Sequence, residues 1–526
     1  MIPRVVRLEA AISTAHQNVF ASLLNVDREY ELKTTLRVAG GWVRDMLLGL
    51  VSNDIDIAIE TPANGEPVSG EVFALRVAEY QQAHGDRAHT VSVIRANPAM
   101  SKHIETATVR VHEIPVEFCA LRTDVYTDAS RIPQVRPGTP LEDALRRDFT
   151  INALFFNLHT GMVEDFTTGL DDLQHRVIRC PLEPRTTFTD DPLRLLRGVR
   201  FVGQLGALNF SLDPSVTECV DEDLLQVLQQ KVSRERIGKE FVKMMSATNP
   251  ERCIELLHRM QILQRVLLVS VVMKAQPGKS QLSNDVERMD RLVDLFSDGD
   301  ARLKAAMMLC TRGLPILASS GVTAALREDQ RVEAALFCLL VPFLCDAAGE
   351  TEGMVRNICI NSLKLPVASC DCVRRMIDAY STLRVQLFNM AELSVLPLAQ
   401  GTLKRLFSVM HNLNDGHVFP SALQVVLLAY ALLEGPSTVA MGGSSSTQAQ
   451  LAGDFAALWK NVADHPTLLN AFRMKLPING KDLQKVYGIQ PKDTGTMLLK
   501  VRLKLVLSPS ASPEDIAAWM KEGAPL

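Results

Sequence analysis

The sequence predicts an α+β protein, with a small mixed sheet in an N-terminal head and an all-α neck, body and tail behind it. Three observations predict this. Short apolar and β-branched runs (DIDIAI, TVSVIRA, ATVRV, IPVEFCAL and INALFFNL) crowd into about the first 180 of 526 residues. After about Pro192 strand signals fade, and the chain turns rich in Leu, Ala, Met and Arg with short breaks. A Gly/Ser-rich stretch, Gly435 to Gln450, then separates a last helical unit.

Composition bounds the function. The net charge of −4 carries no bulk basic signature, so any nucleic acid must be held by local patches. The ten cysteines are scattered and form no zinc-like pairs, which fits a reducing compartment. No run of about 18 apolar residues suggests a membrane span. Arg4, Arg7 and Arg28 with few acids allow a mitochondrial presequence; apolar spacing from Val6 to Leu24 reads instead as the first helix of the fold.

VAGGWVRDMLLG reads as strand, glycine turn and short helix. Gly40 and Gly41 let backbone approach a ligand, the helix amides favour phosphate, and Arg44 can hold a further oxygen. In DIDIAI, residues two apart share a face, so Asp54 and Asp56 point one way while Ile55 and Ile57 enter the core. Adjacent carboxylates repel unless a cation lies between them, and Mg²⁺ takes one or two carboxylates plus substrate phosphates. Alone, DxD is a solvated edge strand; beside GGxVRD it points to metal-assisted nucleotidyl transfer.

ATVRVHEIPVEFCAL reads as a hairpin turning near His112 to Pro115, and LFFNLHTGMVEDF as a second turning at His159 to Met162. Thr123 to Leu145 has no periodicity and reads as a connection. In RRDFTINA, two arginines and an aspartate beside an apolar strand are costly unless bound, so Arg147 and Asp148 are candidates for ribose or triphosphate. In TFTDDPLRLLRGVRF, Pro192 fits a helix start with Asp190 or Asp191 near its cap, and Asp191 and Arg194 share a helical face. Such a pair is either a local salt bridge or a base reader. Cytosine and adenine each set an amine donor beside a ring-nitrogen acceptor, which a carboxylate beside a guanidinium matches and uracil or guanine opposes. From Arg473 to Lys504 eight Lys or Arg face only Asp482 and Asp493, a local net charge of +6. Lys500, Arg502 and Lys504 lie in this stretch, which suits phosphate contacts.

GGWVRD with DID, RRDFTINA, DDPLRLLRGVRF and SRERIGKEF occur in the order seen in class II tRNA nucleotidyltransferases, the CCA-adding enzymes. SKHIETATVRV and RPGTPLEDALRRDFTINALFFNL resemble the eukaryotic members most. The resemblance is dense from about Leu36 to Met245 and thinner in the tail, and the wider superfamily includes bacterial poly(A) polymerases. It implies a nucleotidyltransferase head of the polymerase-β-like fold over 1–180 and a neck with a base-reading helix over 181–270. A helical body over 271–435, a linker over 436–450 and a tRNA-binding tail over 451–526 complete the expected order. It implies addition of C, C and A to tRNA 3′ ends from CTP and ATP with two Mg²⁺ ions, in the cytoplasm with nuclear or mitochondrial pools, and no protein partner.

By position, Asp54 and Asp56 match the metal pair, and Gly40, Gly41 and Arg44 the triphosphate element. Arg146, Arg147 and Asp148 match ribose and triphosphate contacts, with Asn152 a neighbour. Asp191 and Arg194 match the base template, and Arg197 a further triphosphate contact. Glu235, Arg236 and Glu240 match a segment bracing the template helix. The sequence departs from the family pattern in three places. Glu117 stands in EFCALR where aspartate is usual, as a third catalytic carboxylate or as a sheet residue paired with an arginine. The hinge DFTTGLDDL is one residue short. Asp190 replaces a common glutamate. Thr123 to Leu145 resembles the loop linked to the final A step. CC-adding, A-adding or poly(A)-adding activity on the same scaffold, or an inactive RNA-binding homologue, are the alternatives.

Overall fold

The computed structural model describes residues 3–8, 12–52, 54–61, 67–85, 87, 89–94, 106–127, 130–268, 300–319, 326–344, 351–386, 388, 390–394, 396–413, 421–434 and 445–521. Two compact units divide the chain, 1–236 and 237–526, so the break falls inside the segment expected as neck.

The first unit opens with β1 (Arg4–Arg7) and α1 (Thr14–Glu29), which corrects the expectation of a helix from Val6. Ser13 caps α1 through a bond from the His16 amide, and Val19, Phe20, Leu23 and Val26 form its buried stripe. Next come β2 (Thr35–Ala39), α2 (Gly41–Leu47), β3 (Ile55–Glu60), α3 (Gly70–Ala83), β4 (Ser92–Ile94), β5 (Thr106–Val111) and β6 (Ile114–Ala120). β7 (Arg122–Thr127), β8 (Ser130–Pro137) and α4 (Pro140–Leu145) lead to β9 (Leu154–Asn157) and β10 (Met162–Asp165).

The main sheet runs β1-β10-β9-β2-β3-β6-β5-β4, mixed because β3 and β6 are parallel. Both expected hairpins form: β5–β6 turns through His112 and Glu113, both at positive φ, and β9–β10 turns before Met162. The expected connection from Thr123 is instead the antiparallel ribbon β7–β8 followed by α4. α3 covers one sheet face, with Phe73 packed on Phe118 at 5.3 Å. On the other face Ala39, Ala58 and Phe155 pack with Ala144 of α4.

α5 (Gly169–His175), β11 (Val177–Ile178), α6 (Pro184–Asp190) and α7 (Leu193–Gln204) follow. The short hinge segment is a capped turn: Asp165 accepts from the Thr167 and Leu170 amides. β12 (Ser211–Leu212), α8 (Pro214–Glu218) and α9 (Glu222–Lys231) precede α10 (Arg234–Met245).

The second unit is helical. Its long helix Glu328–Leu344 is almost wholly buried, and the helix Val367–Val385 packs against it and against helices Gln400–Asn412 and Ala422–Glu434. Gly238 is required here: a Cβ would lie 1.8 Å from the Leu363 carbonyl oxygen. In the tail Ile478, Leu483, Val501, Leu505 and Ile516 form a separate small core. Of the expected linker, residues 436–444 lie outside the described residues, whereas Ser445 to Gln450 begin a helix, Ser445–Ala463. Among the described residues every cysteine is a free thiol, and no helix is long and apolar enough to cross a membrane.

Candidate active site

Strand alternation builds the acidic half of the site. Ile55 and Ile57 are 1% and 0% exposed, while Asp56 between them is open on the other face and Asp54 precedes the strand. Parallel pairing sets Glu117 of β6 directly beside Asp56. Although open, both carboxyls sit among protein atoms that displace water. Burial pushes the Asp56 carboxyl up, Asp54 adds to this, and Arg147 opposes it. Burial and then Asp56 push the Glu117 carboxyl up, against a hydrogen bond from Thr106.

The glycine turn stands beside this pair. Gly40 has φ +72°. That positive φ favours glycine, and a Cβ there would also crowd the Arg147 guanidinium at 3.0 Å. Arg44, on the first turn of α2, donates to Asn152 Oδ1 at 2.7 Å and pairs with Asp45.

Asp143 was not singled out by the sequence, yet it organises the arginines. It is 1% exposed, with Arg146 on Oδ1 and Arg147 on Oδ2, the latter at 2.8 and 3.0 Å. Burial alone pushes its carboxyl up, but Arg147 and Arg146 outweigh that and hold it below its ordinary range. Arg147 also donates to the Asn152 carbonyl at 3.2 Å. Asp148 is likewise buried. Its Oδ1 accepts from the Phe149 amide and Asn152 Nδ2, and its Oδ2 from Arg197 at 2.7 Å. Despite burial, Arg197 and these bonds lower its carboxyl to about 2. Asp148 is thus an internal anchor of Arg197 in this structure. Phe201, also missed, offers its ring to Arg44, Arg197 and Arg200 with centroids at 5.2, 5.6 and 4.3 Å.

The Asp191–Arg194 pair, expected to read the base, differs in detail from the expectation. Asp191 lies between α6 and α7 in extended backbone, not on the helix. Its carbonyl still accepts from the Arg194 amide at 3.0 Å, and its Oδ1 caps the Leu193 amide. Arg194 donates to the Arg146 carbonyl at 2.6 Å, which ties the start of α7 to the arginine lattice. Arg236 donates to Asp191 Oδ2 at 3.3 Å. Glu235 lies in the first turn of α10, and Glu240 is buried in the second unit.

In the tail, Arg502 is turned inward, a correction to its expected place on an RNA-facing surface. It donates to the carbonyls of Ala471 and Met474, and its guanidinium lies 5.7 Å from the Phe472 ring centroid. Burial pushes its pKa down. Lys500 and Lys504 are half-buried, and the Lys504 ammonium lies 5.7 Å from the Trp519 ring centroid.

Among the described residues no three His, Cys, Asp or Glu side chains form a complete metal cage. The acidic pair nonetheless fits a hard divalent cation, because Mg²⁺ completes its shell with substrate phosphates and water. The arginine facing Asp56 is already committed to Asp143, so the two carboxylates keep unmet negative charge.

Fold and site together define a polymerase-type nucleotidyltransferase head with a helical extension. Residues 36–179 match the poly A polymerase head domain, and 209–269 match the family described as the probable RNA and SrmB-binding site of polymerase A. The mitochondrial CCA tRNA nucleotidyltransferase of Saccharomyces cerevisiae is 37% identical over 350 residues, covering 64% of this chain and 57% of that protein. That of Candida glabrata is 46% identical over 231 residues, covering 43% and 42%. The chain thus spans about half the length of the curated relatives it matches. The Thermotoga maritima CCA-adding enzyme, solved complexed with tRNA-CCA, shares the fold at TM-score 0.58 and 18% identity, over 99% of both chains. The head thus matches the poly A polymerase head domain, and the chain is similar to eukaryotic CCA tRNA nucleotidyltransferases.

Proposed function

We propose that this protein adds CCA to tRNA 3′ ends without a nucleic-acid template. The tRNA 3′-hydroxyl attacks the α-phosphorus of CTP or ATP, a phosphodiester forms, and pyrophosphate leaves. Gly40, Gly41, Arg44, Arg146 and Arg147 hold the triphosphate, and Arg197, steadied by Asp148, adds charge at its edge. Asp191 accepts from the base amine while Arg194 donates to the ring nitrogen, so C and A fit and U and G leave buried charges opposed. Glu117 is the group placed beside Asp56 to take the hydroxyl proton. Asp54 and Asp56 would hold two Mg²⁺ ions, which when bound acidify the hydroxyl and neutralise the leaving pyrophosphate. Lys500 and Lys504 contact tRNA phosphates.

The single observation that carries this reading is the bond from Arg194 to the Arg146 carbonyl, which joins a base-reading pair to a phosphate-binding lattice beside two carboxylates. The deciding assay gives the protein a tRNA lacking its end, with CTP and ATP, and sequences the product. Addition of CCA is expected. CC alone, A alone or a run of A moves the protein to a related specificity, and no incorporation sinks the reading. The Saccharomyces cerevisiae relative is named mitochondrial. We place this protein in the cytoplasm with nuclear or mitochondrial pools, and fluorescent tagging tests that.

A further inference from the structure

On the helix-covered face of the sheet, away from the acidic pair, a cavity of about 160 Å³ opens between α1, α3 and the β5–β6 turn. One part of its wall is apolar: Leu23, Val26, Val77 and Val111 line it, none more than 2% exposed, while Ser22, Glu113 and the groups named below supply polar edges. Gln81 also lines it and is itself 6% exposed. Its Nε2 donates to the Arg110 carbonyl at 2.8 Å, which fixes which end of the amide is which. The other end, Oε1, is buried and has no hydrogen-bond partner among the described residues. A buried acceptor left unmade costs the fold its full desolvation, so this atom points to a missing donor.

The space exceeds what one water needs, since a water's share of liquid is about 30 Å³. Three rings border the cavity: Tyr80, His89 and His112. Both imidazoles are held in place, His112 Nε2 at 2.8 Å from Ser22 Oγ and His89 Nε2 at 3.3 Å from Glu113 Oε1. Arg87 stands exposed at the same rim. An apolar back wall, aromatic edges and one buried acceptor suit a flat heterocycle with an N–H group. The volume admits a base but not a whole nucleotide, so sugar and phosphate would stay outside, near Arg87.

We propose that this cavity is a second nucleotide site, which takes the amine-bearing base of an adenine- or cytosine-type nucleotide with the exocyclic amine donating to Gln81 Oε1. It lies on the opposite face of the sheet from the acidic pair and does not depend on the catalytic reading.

The test follows the histidine ring resonances of the full-length protein by NMR during titration with AMP. The His89 and His112 signals are expected to move at about millimolar AMP, as for a fragment-sized contact. The movement should persist in Asp191→Ala, which removes base reading at the other site. It should weaken about tenfold in Gln81→Met, and likewise for purine riboside monophosphate, which lacks the amine. Val26→Phe fills the cavity while keeping the Gln81–Arg110 bond, and should abolish it; thermal unfolding shows that each variant is folded. Signals that stay fixed, or that move equally in both cavity variants, overturn the proposal. So does a crystal grown with saturating AMP that shows only a water on Gln81 Oε1.

Discussion

The two halves of the active site treat charge in opposite ways. Asp54, Asp56 and Glu117 gather carboxylates without committing a cation to them, and burial and mutual repulsion push Asp56 and Glu117 up. Farther along the chain, Asp143 and Asp148 are more deeply buried, yet Asp143 is met by Arg146 and Arg147, and Asp148 by Arg197, Asn152 and an amide, so both are held low. The first half stores unmet charge for a ligand. The second has already met its charges internally and can serve as a rigid frame. Substitutions in the two halves should therefore separate activity from stability.

The largest effect is expected at the acidic pair. Asp56→Asn should lower incorporation of labelled cytidylate about a thousandfold or more while the melting temperature holds or rises. A carboxyl raised by folding favours the folded state below its unfolded pKa, and that contribution is lost as pH rises through the folded value. At neutral pH the asparagine therefore removes a burden. A simultaneous fall in melting temperature would mean that Asp56 belongs to the frame.

Next comes base choice. Asp191→Ala should leave CTP and ATP usable at reduced efficiency but lose about a hundredfold of the discrimination against UTP and GTP, read as ratios of kcat/KM. Unchanged ratios would remove Asp191 from base reading and leave it as a cap for Leu193 and a partner of Arg236.

The frame should answer to acid. Asp148 falls from its ordinary 3.8 to about 2 on folding. A lowered carboxyl stabilises the folded state above its unfolded pKa, and this is lost as pH falls toward the folded value, here between about 4 and 2. The contribution is about 2.5 kcal/mol. Asp148→Asn should be less stable by about that amount at neutral pH, with the gap to wild type closing toward pH 2 in urea unfolding. A gap independent of pH would mean that the side chain acts through shape alone.

This division was only partly legible in the sequence. Strand alternation put Asp54 and Asp56 on one face because its period is fixed by backbone geometry, and the Gly40 turn followed from a glycine before a helix. Asp143 was hidden, because it falls at the end of Thr123 to Leu145, which has no periodicity and reads as a connection. The helix α4 sets it at i, i+3 and i, i+4 spacing to Arg146 and Arg147, and its burial appears only once that helix packs on the sheet. Asp191 was placed on a helix by its spacing to Arg194, whereas the chain breaks there and keeps the spacing through one backbone bond. The ribbon β7–β8 was hidden by its Pro and Thr content, which reads as loop until cross-strand partners are known.

The same contrast of open and committed charge extends to the tail, where the smallest effect is expected. Lys504 lies half-exposed beside Trp519, whereas Arg502, two residues earlier on the same helix, is spent on the Ala471 and Met474 carbonyls. A phosphate contact releases counterions, so its loss flattens the dependence of affinity on salt. Lys504→Gln should weaken tRNA binding a few-fold at low salt and reduce the slope of log affinity against log salt by about 0.7 to 0.9. Arg502→Gln should leave that slope unchanged and lower the melting temperature instead, because it strips two part-buried carbonyls of their donor. Should the two substitutions change the slope equally, Arg502 must swing out to meet RNA, and the distinction between committed and open charge fails in this helix.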